Sequence, residues 1–279
     1  EIVIEAAIAA AGLCVFMAQT LTAEHPFFHR DLAKDTNYVG SAIFGLFIGV
    51  LLFSTSALLP LFMQNLLGYS ALHSGWASMP RGVGSLIAFL AVPWMVVRLG
   101  ARQVLTLGVG ISALALWQMS QFNLDMTATP IMVAGFVQGI GTGLMFAPLN
   151  TLGYATLDPS HRTEGTIVAT MARTLGSSAG ISIVQAILIN NSTLAHERLT
   201  ERIAVGDPSI AGALPSMLDP ATTSGLAILN GEVTRQGAMI GYANVFSWMA
   251  VASLLLLPLL LLMRPAQAPR PTGVEVHAD

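Results

Sequence analysis

Arginine is costly inside a lipid bilayer, and one arginine of this chain lies deep within an apolar run. Arg173 belongs to the run 166–189, and it lies near mid-depth if that run is a membrane-spanning helix. Because lipid exposure there would cost several kcal/mol, the guanidinium is expected to face protein or water. Ser177 and Gly180 lie on the same helix face. Two roles fit this pattern: a clamp on the backbone carbonyls of a neighbouring helix, or a group on the path of a solute.

A second arginine and several amides are further candidates for a polar path. Arg81 stands in Met79-Pro80-Arg81-Gly82 near the start of an apolar run, so its long side chain can reach the membrane surface, and snorkelling is the simpler interpretation. Neutral polar side chains within or beside the runs could line a cavity. They are Gln64, Asn65, Gln118, Gln121, Gln138, Asn150, Gln185 and Asn244.

Acidic side chains are missing from the interior of the runs. Apart from Glu1 and Glu5 at the start, no apolar run contains Asp or Glu, and the six histidines lie outside the runs. A proton-coupled pump needs a titratable group whose pKa is shifted by burial or by neighbouring charges. Cys14 is the only cysteine, and nothing resembles a phosphate loop, a zinc cluster or a nucleophile triad. The chain is therefore predicted to be no enzyme and to need no cofactor or metal.

Small residues recur at helical spacing in two runs. Gly135, Gly139 and Gly143 follow one another at steps of four, and Gly176 and Gly180 form a GxxxG pair. Small residues at this spacing let two helix backbones approach closely. They indicate helix packing rather than ligand binding.

The elements that must position these residues are membrane helices. Hydrophobic residues make up 54% of the 279 and charged residues 10%, whereas soluble domains carry about 25% charged residues. Long apolar runs without alternation predict transmembrane helices, and the net charge of −3 gives no indication of nucleic-acid binding. Seven runs are present, at about 2–21, 39–62, 76–97, 104–122, 130–154, 166–189 and 239–263.

Basic residues predict the orientation of the bundle. Seven of them flank one set of run ends, and the short loops 67–74 and 123–129 on the other side contain none. The basic side is expected to be cytoplasmic. The seven residues are Arg30, Lys34, Arg98, Arg102, Arg162, Arg264 and Arg270. The connection 191–237 is then a long outer loop, in which Leu194, Leu199 and Ile203 suggest a short amphipathic helix.

An ordered set of motifs resembles the EmrB/QacA-type drug:proton antiporters, the fourteen-helix branch of the major facilitator superfamily. The set comprises the segment 79–108, the glycines of the fifth run, Ala-Arg-Thr-Leu-Gly-Ser-Ser-Ala-Gly at 172–180, Glu-Val-Thr-Arg-Gln-Gly at 232–237 and Tyr-Ala-Asn-Val-Phe at 242–246. The resemblance covers essentially the whole chain. It implies an all-α helical bundle of the major facilitator type.

The resemblance also implies a domain organisation. Residues 1–22 would be a linker transmembrane helix, 23–38 a cytoplasmic connection, 39–264 the six-helix carboxy-terminal domain and 265–279 a cytoplasmic tail. One loop departs from the family pattern Gly-x-x-x-Asp-Arg-x-Gly-x-Arg. Pro93 and Val97 replace its glycine and aspartate, while Arg98, Gly100 and Arg102 remain. The resemblance therefore does not imply a gating charge relay in this loop.

The resemblance implies the carboxy-terminal half of a proton-driven exporter of drugs or small metabolites. Its partners would be the lipid bilayer of the inner membrane, a small-molecule substrate and a missing amino-terminal half that holds the proton-binding carboxylate, with a periplasmic adaptor protein as a further candidate. Arg173, Gln138, Asn150 and Gln185 are the leading candidates for facing the cavity, followed by Ser177, Asn244 and Arg81.

Two other classes of membrane protein have long apolar runs of this kind. A seven-helix receptor or retinal protein would fit the number of spans, but a retinal protein would need a lysine in its last helix, and Lys34 is the only lysine. A non-transporting scaffold or degenerate fragment stays open from the sequence alone.

Overall fold

The computed structural model describes residues 35–202 and 222–262, together with residues 11, 12 and 32. Six helices within this part are long and apolar enough to cross a membrane, so the predicted spans two to seven are confirmed. The helices are α1 (Thr36–Asn65), α2 (Ala71–Leu99), α3 (Ala101–Ser120), α4 (Ala128–Gly153), α5 (Arg162–Arg202), α6 (Thr223–Leu255) and the short α7 (Leu257–Leu262). Apart from residues 11 and 12, the predicted first span, 2–21, lies outside the described residues, as do most of the predicted connection 23–38 and the tail 265–279.

Local capping determines where several helices begin. The Asp35 carboxylate accepts hydrogen bonds from the amides of Asn37 and Tyr38, and the Ser70 hydroxyl accepts one from the amide of His73. Such side chains satisfy amides that have no partner inside the helix. Gly100 separates α2 from α3 with a φ of +85°, a conformation that glycine adopts without strain. The turn therefore needs only this one residue.

Helices α5 and α6 are longer than the hydropathy pattern predicts. Helix α5 has 41 residues and continues to Arg202, and α6 begins at Thr223. The predicted outer loop 191–237 is therefore helical at both ends, at 191–202 and 223–237. Of the expected amphipathic helix, Leu194 and Leu199 lie on the continuation of α5, and Ile203 lies outside the described residues. Apolar runs mark where a helix lies in lipid, but they do not mark where its hydrogen-bonding ends.

The six long helices pack in a ring. Following it, α2 contacts α4, α4 contacts α3, α3 contacts α6, α6 contacts α5 and α5 contacts α1. We call the end of the bundle where α1 ends and α2 begins the upper end. Arg235 of α6 donates a hydrogen bond from Nε to the Leu66 carbonyl at this end, at 3.4 Å. The twelve residues of α6 before Arg235 therefore extend beyond α1 by about 18 Å.

Aromatic side chains fill the bundle near its upper end. Phe62 of α1 packs edge-on against Tyr242 at 5.3 Å between ring centroids, and its ring lies 5.8 Å from that of Phe122. Phe122 and Tyr242 each contact Phe246 as well, at 6.4 Å. These four residues form the aromatic cluster, which joins α1, the residues just after α3, and α6.

Hydrogen bonds connect the helices at the lower end. The Tyr38 hydroxyl of α1 donates to the Gly165 carbonyl of α5 at 2.8 Å, and Thr156 donates to the Asp35 carboxylate at 2.8 Å. In the same region the hydroxyl and amide of Ser160 donate to Asp158, and these bonds hold the pKa of that carboxyl below its usual value. The start of α1 is thereby fixed to the connection between α4 and α5.

Candidate functional site

A cavity of about 650 Å³ lies between α1, α2 and α4. Arg81 lines it, and the remaining lining is largely apolar with several hydroxyls. The other lining residues are Leu52, Phe53, Ser56, Ser78, Gly82, Ser85, Leu86, Phe89, Thr142, Gly143 and Phe146. The volume falls in the range of small-molecule sites, and an apolar wall with few polar groups is typical of them.

Close packing of α4 against α2 positions the cavity's arginine. Gly139 lies directly against the backbone of Arg81 and Ser85, and Gly143 lies against Ser85 and Ala88. Any side chain at these glycines would occupy the space of the α2 backbone. The contact brings the two helices together and leaves the Arg81 side chain directed to α1.

Arg81 forms its hydrogen bond inside the bundle. Its Nη2 donates to the Leu52 carbonyl of α1 at 3.1 Å, and the side chain is half-buried. Arg81 lies ten residues after the start of α2 at Ala71, about 15 Å along the helix. The contacts therefore give no support to the snorkelling interpretation, because the guanidinium bonds to a carbonyl on the neighbouring helix beside a cavity.

Arg173 lies beside the same cavity on a different helix. Its guanidinium carbon is 5.5 Å from the centroid of the Phe146 ring, which lines the cavity. Nη2 is 3.5 Å from the Thr170 hydroxyl, and among the described residues no backbone carbonyl accepts a hydrogen bond from the guanidinium. Gly49 of α1 lies against the Arg173 backbone. The contacts thus give no support to the carbonyl clamp.

Exposed hydroxyls follow α5 in a line that the sequence reasoning missed. Three of them donate to the carbonyl four residues earlier, at 2.9–3.2 Å, so their hydrogen bonds do not require water. The line, which we call the hydroxyl stripe, consists of Thr166, Thr170, Thr174, Ser178 and Ser182. Their i, i+4 spacing in the sequence already indicated that they share one face of the helix. A polar face at this depth suits a protein contact or a water-filled space better than lipid.

The polar residues that α2 contributes to the cavity could also have been recognised from the sequence. Ser78, Arg81 and Ser85 lie three and four residues apart on α2, and all three line the cavity. Helical periodicity around Arg81 would have identified the two serines.

Several predicted path residues lie apart from the cavity. Gln138 is buried inside the bundle, and its Oε1 has no hydrogen-bond partner among the described residues. Asn150 and Gln185 are exposed on α4 and α5, and Ser177 is half-buried. Asn244 lines a separate groove of about 300 Å³ between α5 and α6, together with Arg198. The structure brings Arg81 and Arg173 to one cavity and places the amides elsewhere.

The remaining glycines and the α2–α3 turn lie outside the cavity wall. Gly176 and Gly180 of α5 lie against Leu46 and Val50 of α1. A Cβ atom added to Gly135 would lie 3.7 Å from Cβ of Arg81. Around Gly100, Arg98 stacks over Trp94 at 4.3 Å, and Arg102 lies in the first turn of α3. Within the described part of the chain, no cluster of three or more His, Cys, Asp or Glu side chains could hold a metal ion.

Comparison with known proteins gives a consistent result. The family model described as Major Facilitator Superfamily matches residues 6–181. The multidrug export protein EmrB of Escherichia coli strain K12 is 26% identical over 92% of this chain and 51% of its own length. The fatty acid resistance protein FarB of Neisseria gonorrhoeae is 26% identical over 91% of the chain and 50% of its own length. The uncharacterized MFS-type transporter YhcA of Bacillus subtilis (strain 168) is 23% identical over 86% of this chain and 47% of its own length.

The chain spans about half the length of these curated relatives. The resemblance noted from the sequence motifs is confirmed, since the family model and relatives named EmrB both match.

Proposed function

Because this chain belongs to the Major Facilitator Superfamily, a family of membrane transporters and not of enzymes, we propose that it is the carboxy-terminal half of a proton-coupled exporter of drugs or small metabolites. Relatives that it matches over most of its length are named for multidrug export and for fatty acid resistance. Family membership excludes the seven-helix receptor considered above.

The observation that carries the proposal is the cavity between α1, α2 and α4, about midway along these helices. Transporters of this superfamily bind substrate near the middle of the membrane, between two helical halves that rock against each other. This half has a cavity between α1, α2 and α4 and an exposed hydroxyl stripe on α5. Both surfaces support the proposal that a second half packs against this one. The match to about half of each relative's length supports the same arrangement.

Proton coupling would depend on a group in the other half. The middle portions of the six described spans contain no Asp or Glu, and the acidic residues of α5 and α6 lie toward helix ends, at Glu164, Glu197, Glu201 and Glu232. A mid-membrane carboxylate is the usual proton carrier in transporters. The amino-terminal half is therefore proposed to supply it.

A periplasmic adaptor is proposed as a further partner. The α5 and α6 extensions run side by side beyond α1, and His196 and Asn230 pair across them with 3.1 Å between Nε2 and Oδ1. This paired extension offers an exposed surface outside the membrane if the upper end is external.

The orientation can be tested by cysteine labelling. In a cysteine-free background, Asp125→Cys at the upper end and Ser160→Cys at the lower end are both exposed positions. A membrane-impermeant maleimide added to intact cells is expected to label Asp125→Cys only, because the basic lower end should be cytoplasmic. Permeabilised cells should label both. Labelling of Ser160→Cys alone in intact cells would reverse the proposed orientation.

Transport is tested by reconstitution into liposomes with an imposed proton gradient. The full-length protein is expected to move a fluorescent dye, and a protonophore should abolish the movement. Arg173→Gln is expected to slow transport by about tenfold, because the variant removes a positive charge beside the cavity, whereas Arg198→Gln, on the same helix outside the cavity, should leave the rate unchanged.

The present chain reconstituted alone serves as the second arm of this experiment. It is expected to transport nothing, because one wall of the substrate site would be absent. Gradient-driven dye transport by the isolated chain would refute the half-transporter proposal. Absence of transport by the full-length protein for every solute tried would favour the scaffold.

A further inference from the structure

We propose that the cavity between α1, α2 and α4 selects amphipathic anions: solutes with one negative headgroup joined to an apolar chain or ring system. The proposal rests on the transport role proposed above and names the substrate class of that same site.

The charged side chains at and beside the cavity are all positive in the described part of the chain. In the middle portions of the described spans the only charged residues are Arg81 and Arg173, and both lie at or beside the cavity. Among the described residues, no acidic side chain lies within ion-pairing distance of either guanidinium. A buried charge is costly unless an opposite charge or hydrogen bonds compensate it. An anionic headgroup would supply that compensation, whereas a cationic one would add to the repulsion.

The hydrogen-bonding capacity of Arg81 is mostly unused within the described part of the protein. A guanidinium carries five N–H donors, and the one hydrogen bond of Arg81 goes from Nη2 to the Leu52 carbonyl. That carbonyl also accepts from the Ser56 hydroxyl at 2.8 Å, so Arg81 shares its acceptor with a second donor. The remaining donors form a planar fork suited to two oxygens of a carboxylate or sulfonate.

The walls of the cavity fit an apolar body next to that headgroup. Phe53, Phe89 and Phe146 contribute rings, and Leu52 and Leu86 contribute aliphatic surface. Phe146 separates the cavity from the Arg173 guanidinium, which lies over its ring. The second positive charge thus raises the potential of the cavity without occupying its volume. A headgroup site and an apolar wall in one cavity recognise both parts of an amphipathic anion.

The test compares three probes with the same fluorescent body and different headgroups. These are 1-pyrenebutanoate, 1-pyrenebutanol and (1-pyrenebutyl)trimethylammonium, bound to the full-length protein in phosphatidylcholine nanodiscs, with empty nanodiscs subtracted. The wild type is expected to bind the anion at least about tenfold more tightly than the cation, with the alcohol between them.

Arg81→Gln is expected to weaken binding of the anion by about tenfold or more while changing the alcohol little, because the variant removes the charge and keeps hydrogen-bonding capacity. Arg81→Lys keeps the charge and loses the fork, so an intermediate loss is expected. Arg98→Gln is the matched control, since Arg98 lies on the same helix and stacks on Trp94 away from the cavity. It should bind all three probes as the wild type does.

Equal affinity of the wild type for the three probes would overturn the proposal, as would tighter binding of the cation. An equal loss of all three in both Arg81→Gln and Arg81→Lys would also overturn it, since the arginine would then act on structure alone. Failure of the proposed transport role can be distinguished from failure of the proposed selectivity. Anion-selective binding without gradient-driven transport would refute the exporter and would leave the selectivity of the cavity intact.

Discussion

Phe62→Ala is expected to lower the free energy of unfolding by about 3–5 kcal/mol. Phe62 is completely buried in the aromatic cluster, where it contacts Phe122 and Tyr242. In a membrane, helices associate through close packing rather than through exclusion of water from between them, so a cavity at this junction removes the contacts that hold α1 to α6. The change is measured as the thermal unfolding midpoint of purified protein in mild detergent.

Phe47→Ala is the matched control for this prediction. Phe47 lies on the same helix, but 39% of its surface is exposed, so truncation there leaves no enclosed void. Little change in the midpoint is expected. Similar midpoints for the two variants would mean that the aromatic cluster does not hold α1 and α6 together.

Gly139→Ala is expected to destabilise the bundle by about 1–3 kcal/mol. The added methyl group would overlap the Arg81 carbonyl and approach the Ser85 amide to 3.0 Å, and these backbone atoms cannot rotate away. Helices α2 and α4 would have to separate, which also moves the Arg81 side chain from the Leu52 carbonyl. Thermal unfolding in detergent measures the first effect, and weakened binding of 1-pyrenebutanoate measures the second.

Gly135→Ala provides the control one helical turn away. A methyl group at Gly135 would lie 3.7 Å from Cβ of Arg81, an ordinary contact distance, and alanine favours the helix over glycine by about 1 kcal/mol. This variant should be as stable as the wild type or slightly more stable. If Gly139→Ala behaved in the same way, the close approach of α2 and α4 at Arg81 would be incorrect.

The membrane spans were predictable because they depend on local composition. A run of apolar residues without charge satisfies the hydrocarbon core wherever it lies in the chain, so the six described spans were all found from the sequence. The end of α5 was not found. Residues 190–202 are polar enough to leave the lipid, yet they contain no glycine or proline to end a helix that has already formed.

The glycine spacing of α4 likewise predicted a packing face, because the i, i+4 pattern is a property of one helix. It could not name α2 as the partner, since many helix pairs are compatible with the same small residues. The sequence was also insufficient to place the side-chain amides. Gln138 and Asn244 were candidates for the solute path by residue type alone, but the rotation of α4 and α6 against their neighbours placed one in the interior and the other in a different groove.

The position of the two arginines shows what the sequence and the tertiary structure each determined. The sequence determined that Arg81 and Arg173 lie in membrane helices from which acidic residues are missing, because charge and hydropathy can be read residue by residue. Only the tertiary structure decided that Arg81 lines a cavity and that Arg173 lies beside the same cavity. The Leu52 carbonyl is 29 residues from Arg81 in the chain, and Phe146 is 27 residues from Arg173. Both contacts exist because packing of small residues brings separate helices into register, and no local pattern specifies that register.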